Sequence, residues 1–188
     1  MSKAVIIISK IIEIGYWITC AFSVVLIIMT ASGNLKALEM IQLADQNSGE
    51  VFSLTGFEIS MDGLADGQIS TAFIIFSIAL LITSALMAMV FRNIYLIFRT
   101  ARGETKFSKG ATPFQPDTVR MVREIGIFCI AAPVVGIIMS IVTRIVLGSV
   151  ALNTSVSIGG VLIGLVVLSL SQFFAYGAEL QQDTDGLV

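Results

Sequence analysis

The residues best placed for chemistry are charged groups flanking long apolar segments. Arg99, Arg102, Arg120, Arg123 and Glu124 share one connecting stretch, and Glu179, Asp183 and Asp185 lie close to the end of the sequence. Guanidinium and carboxylate groups in such numbers suit ion pairing and the docking of a charged partner. Covalent catalysis needs other residues. The chain has 0 histidines, which removes Ser-His and Cys-His nucleophile activation and imidazole metal ligation. No phosphate-cradling or dinucleotide-binding glycine motif is present. Cys20 and Cys129 both sit inside apolar runs, where a thiol serves as a small buried hydrophobe. The expectation is no enzyme, no catalytic residue, no cofactor and no metal.

The elements that must position these charges are apolar runs near Ile12–Ala31, Ala72–Phe91, Ile125–Leu147 and Val156–Ala178. At 1.5 Å rise per residue, each is long enough to cross a hydrocarbon core of about 30 Å. Composition agrees: 56% of the residues are hydrophobic and 13% charged, against roughly 25% charged in a soluble domain. The net charge of −2 conceals two faces of opposite sign. Arg92, Arg99, Arg102, Lys106, Lys109, Arg120 and Arg123 lie between the second and third runs. Glu39, Asp45, Glu50, Glu58, Asp62 and Asp66 lie between the first and second, against the single Lys36. The positive-inside rule then puts both termini and the basic loop in the cytoplasm. The first run is too long for the apolar part of an ordinary signal peptide and reads as a span.

The spacing predicts spans at about 11–32, 70–92, 124–147 and 156–178, within a single membrane domain over 1–188. Residues 33–69 form an extracytoplasmic cap, 93–123 a basic cytoplasmic loop and 179–188 an acidic cytoplasmic tail. Within the cap, Leu35, Leu38, Ile41 and Leu43 suggest a short amphipathic helix. Val51, Phe52, Leu54, Phe57, Ile59 and Met61, around Gly56, suggest a hairpin. Helix-stop chemistry stands at Ser32-Gly33 and again at Gly103. Pro116-Asp117 reads as a helix start, and Pro133 can kink the third span. Arg144 lies near the outer surface, where it can snorkel. The fold class is an all-α membrane protein, a four-transmembrane-helix bundle with a small cap made of a short helix and a hairpin.

Two features carry sharper hypotheses. Gly160 and Gly164 form a small-xxx-small pair that would let helices pack closely. Glu13 and Glu124 could pair with Arg92 or Arg123 as a latch, and the segment around Arg120 and Arg123 could hold Glu179, Asp183 and Asp185. The simpler reading of the same charges is snorkelling, topology and attraction to anionic lipid. The outside acidic cluster lacks the dense oxygen spacing of a calcium loop and serves solubility. Thr19, Ser23, Thr83, Ser84, Ser140, Thr143 and Ser169 are the mid-span hydroxyls a transporter would need, although such groups usually bond their own backbone.

The stretch Pro113-Phe-Gln-Pro-Asp-Thr-Val-Arg-Met-Val-Arg-Glu-Ile-Gly126 resembles the segment before the third span of YoaS-like proteins, a bacterial membrane family of unknown function. The ending Tyr176-Gly-Ala-Glu-Leu-Gln-Gln-Asp-Thr-Asp-Gly-Leu-Val188 is similar to that family's ending, with Asp-Thr-Asp-Gly-Leu where an Asp-Leu-Thr-Ile-like close is usual. The resemblance implies a membrane partner of a small helix-turn-helix regulator. The leading expectation is a sensory or regulatory subunit of the bacterial plasma (inner) membrane that couples its cap to a cytoplasmic partner. The rivals are a small transporter or channel subunit and a structural accessory subunit. Expected partners are the lipid bilayer and a cytoplasmic protein, with no direct nucleic-acid binding; homo-oligomerisation stays open.

Overall fold

A computed structural model describes residues 2–33, 51–54, 57–60, 66–105, 116–148 and 158–185. Its helices are α1 (Ser2–Ala31), α2 (Asp66–Thr100), α3 (Pro116–Leu147) and α4 (Ile158–Asp185). Between α1 and α2, β1 (Val51–Leu54) pairs antiparallel with β2 (Phe57–Ser60), placing Leu54 opposite Phe57 and Val51 opposite Ser60. The cap helix expected near 35–44, the loop carrying Lys106 and Lys109, and the connection at 149–157 lie outside the described residues.

All four helices are long and apolar enough to span a membrane. They also run beyond the apolar segments. α1 begins at Ser2, α2 carries its basic residues to Arg99, and α4 continues through the acidic stretch to Asp185. A helix satisfies its own backbone polar groups, so it can pass from hydrocarbon into water without a break.

Local chemistry explains the helix ends. Gly103 adopts φ 75° after α2. Its N–H donates to the Thr100 carbonyl at 3.0 Å, and the Glu104 N–H donates to the Arg99 carbonyl at 3.1 Å. This is the Schellman pattern, in which a left-handed residue closes the last carbonyls. At the start of α3, Pro116 needs no N–H partner and Asp117 lies in the positive first turn. α3 continues through the buried Pro133 as one helix.

The residues fall into two compact units. The first gathers Met1–Tyr16, Leu86–Ala131 and Gly159–Val188; the second, Trp17–Ala85 and Ala132–Ile158. The second unit has an apolar core of Leu26, Ala72, Phe73, Ile75, Ala79, Met139 and Leu147, drawn from α1, α2 and α3. Within it the Cys20 thiol approaches the Leu81 carbonyl at 3.8 Å. In the first unit, α1 meets α2 through the stacked rings of Tyr16 and Phe91, 5.7 Å apart.

The distribution of side chains is inverted relative to a water-soluble fold. Along α1, Ile7, Ile11, Ile18 and Ile28 are each at least 59% exposed, whereas Ser9, Glu13, Ser23 and Thr30 are buried. Exposed isoleucine over buried serine, threonine and glutamate is unfavourable in water. It suits a helix whose outer face meets hydrocarbon and whose polar groups find partners within the protein.

Candidate docking groove

The first unit concentrates charge where α2 ends and α3 begins. Arg120 and Glu124 are one turn apart on α3, and Arg120 Nε donates to Glu124 Oε1 at 2.9 Å. The other carboxylate oxygen of Glu124 accepts from Asn93 Nδ2 on α2 at 3.0 Å. Asn93 is 7% exposed, so this amide–carboxylate bond is the less hydrated of the two and ties α2 to α3.

Beside these bonds lies a groove of about 250 Å³. Its polar lining is Arg92, Asn93, Asp117, Arg120 and Glu124. Its apolar lining is Met89, Leu96, Met121 and Phe128. Arg92 is exposed and has no hydrogen-bonding or ion-pair partner among the described residues. The groove therefore offers cations, carboxylates and a wall of two methionines, a leucine and a phenylalanine, its methionines adaptable to varied side chains.

A second cluster ends α2. Arg99 donates to the Tyr95 hydroxyl at 2.9 Å and pairs with Glu104 at 3.4 Å, while Arg102 reaches the same carboxylate at 3.7 Å. Lys10 on α1 stands 5.0 Å from the Tyr95 ring centre and bonds Glu13 at 2.9 Å. Tyr95 thus receives a cation over its ring and another at its hydroxyl.

The expected latch partners differ from those observed. Glu13 pairs with Lys10 rather than Arg92, and Glu124 pairs with Arg120 rather than Arg123. Both observed pairs lie one helical turn apart, where side chains share a face; Arg123 is adjacent to Glu124 in sequence and diverges from it. Arg123 and Glu179 are exposed. Asp183 and Asp185 lie on the helical backbone of α4, and their side chains are outside the described residues.

Gly164 is buried, and its partner is on α3. A Cβ on Gly164 would stand 2.9 Å from the Gly126 carbonyl oxygen and would collide with Ile130. A Cβ on Gly126 would stand 3.0 Å from the Gly164 carbonyl oxygen and 2.7 Å from Leu168 Cγ. Gly160 is half-buried. Gly126 went unnoticed in the sequence because no second small residue stands four positions away. The mid-span hydroxyls largely close on their own helices: Ser23, Ser140 and Thr143 each donate to the carbonyl four residues earlier at 2.8 Å. Ser77, buried on α2, has no hydrogen-bond partner among the described residues.

Comparisons with known protein families, curated proteins and solved structures returned no match.

Proposed function

We propose that this chain is a regulatory subunit of the bacterial plasma membrane, with both termini in the cytoplasm. Its groove between α2 and α3 holds a segment of a cytoplasmic protein. Its 33–69 segment supplies the extracytoplasmic input. The carrying observation is the groove itself: Arg92, Arg120, Asp117 and Glu124 around a wall of Met89, Leu96, Met121 and Phe128. Opposite charges at fixed positions set the register of a docked segment, and the apolar wall contributes the burial. An amphipathic helix with a few charged residues fits that description. A helix-turn-helix regulator is the partner class implied by the YoaS-like resemblance. The hydroxyls that bond their own helices favour this reading over a transporter or channel subunit, which needs a polar path.

The test places a photo-crosslinking residue at Leu96 and irradiates native membranes. The expected product is one discrete soluble protein, lost when Arg92→Glu and Arg120→Glu are combined. Cross-linking to lipid alone, or a protein product indifferent to charge reversal, overturns docking at this groove.

A further inference from the structure

We propose that α4 pairs in the membrane with α4 of a second copy of this chain, along a seam centred on Gln172. The side of α4 that packs within the chain is marked by Gly164, Ser171 and Ala178, all buried and seven residues apart. A different side is left open. Leu162, Leu165 and Tyr176 are 58%, 51% and 67% exposed, and Ser169 and Gln172 between them are exposed too. The spacing 162, 165, 169, 172, 176 alternates three and four, the repeat by which two helices interlock.

Gln172 sets this face apart from an ordinary lipid-facing one. Its carboxamide offers two donors and an acceptor, and it makes no hydrogen bond to any described residue. On the span 156–178, Gln172 lies about 8 Å along the axis from the midpoint, inside a half-core of about 15 Å. An amide exposed to hydrocarbon at that depth is costly unless a protein partner bonds it. A second copy inserted the same way carries its own Gln172 at the same depth. Across a two-fold axis each amide donates to the other's carbonyl, a self-complementary arrangement that a single kind of chain can satisfy. The surface beside it is hollowed, lined by Ser169, Gln172, Phe173 and Tyr176, and receives the neighbour's side chains. The proposal rests on α4 crossing a membrane and is independent of the docking groove, which is formed by α2 and α3.

The experiment uses the full chain in phosphatidylcholine vesicles, with Cys20 and Cys129 replaced by alanine. Single cysteines are introduced as Ser169→Cys, on the seam, or Leu170→Cys, about 100° around the helix. After oxidation, Ser169→Cys gives a disulfide-linked dimer of twice 20.1 kDa, and Leu170→Cys gives little. Adding Gln172→Leu to Ser169→Cys weakens dimerisation on the order of tenfold, and Gln172→Asn retains it. Helix content by circular dichroism, unchanged in Gln172→Leu, separates lost pairing from lost folding. Equal cross-linking at the two cysteine positions, a monomer at both, or full dimerisation with Gln172→Leu overturns the proposal.

Discussion

Gly126 on α3 and Gly164 on α4 meet backbone to backbone: a Cβ on either would stand within 3.0 Å of the other's carbonyl oxygen. Dispersion grows steeply as surfaces approach, so two glycines at a crossing let long stretches of helix touch. The contact is symmetrical in kind but not in tolerance. At Gly164 the added carbon meets the Ile130 side chain and two backbone atoms of α3, the Gly126 oxygen and the Ile130 nitrogen, whereas at Gly126 it meets the Leu168 side chain and one backbone atom of α4, the Gly164 oxygen.

Gly164→Ala should therefore lower stability by about 1–3 kcal/mol, the usual range for overpacking. Gly126→Ala should cost less, because its Cβ faces one backbone atom where that of Gly164 faces two, and the Leu168 side chain can change rotamer. The double variant should cost less than the two singles together, since once the helices have separated the second methyl finds room. Leu170→Ala, at a side chain 47% exposed, should shift stability by no more than about 0.5 kcal/mol. Thermal unfolding in detergent ranks the four; equal effects of Gly164→Ala and Leu170→Ala would show that the crossing contributes nothing.

How much of this was legible from the residues depended on whether one helix or two carried the information. Long apolar runs, Gly103 and Pro116-Asp117 act within their own segment, so four helices, the end of α2 and the start of α3 could be read directly, whereas the continuation of α4 to Asp185 could not. Gly164 could be picked out by its spacing from Gly160, but a spacing along one helix says nothing of what lies across from it. Gly126 became visible only once α3 was set beside α4. The ion pairs were readable in principle: Lys10–Glu13 and Arg120–Glu124 are three and four residues apart, the distances at which helical side chains meet. Reliance on sign alone favoured Arg123. The bond from Asn93 to Glu124 joins residues 31 apart, beyond any local rule.

The two partners of Glu124 should differ in what they contribute. The Arg120 side chain is 78% exposed, so its ion pair with Glu124 is worth about 0–1 kcal/mol. Asn93 is buried and donates to the same carboxylate, so Asn93→Ala should cost about 1–3 kcal/mol by removing a charge-assisted bond at a low-water site. Chemical denaturation in mild detergent should rank Asn93→Ala as the more damaging change. The reverse order would mean that the pair on α3, and not the bridge to α2, orders this end of the unit.

Glu13 is 5% exposed and its carboxylate is held by Lys10. Removing only the cation strands a buried acid, while removing both leaves an apolar patch. Lys10→Met should therefore destabilise by about 1–3 kcal/mol, and Lys10→Met with Glu13→Leu should recover most of that loss. The same cycle in high salt should give a smaller loss for Lys10→Met, because the Lys10 side chain is 44% exposed and its charge is screened. A double variant no better than Lys10→Met alone would show that Glu13 has adequate partners without the lysine.

Orientation is the premise on which cytoplasmic docking depends, and charge argues for it. If each of the four helices crosses the membrane, only Lys36 and Arg144 of the 11 Lys and Arg residues fall on the side opposite the loop between α2 and α3. Basic residues close to span ends resist translocation, whereas acidic residues such as those of the 33–69 segment contribute little to the choice. The bias is carried by many residues, so a single reversal at Arg99 or Arg120 should leave the topology unchanged. Single cysteines at Ser48 and Ser108, in a chain freed of Cys20 and Cys129, report it directly. Ser48→Cys should react with a membrane-impermeant maleimide in intact cells. Ser108→Cys should react only after the membrane is opened. Labelling of both in intact cells would remove the basic loop from the cytoplasm, and with it any cytoplasmic partner for the Arg92–Arg120 groove.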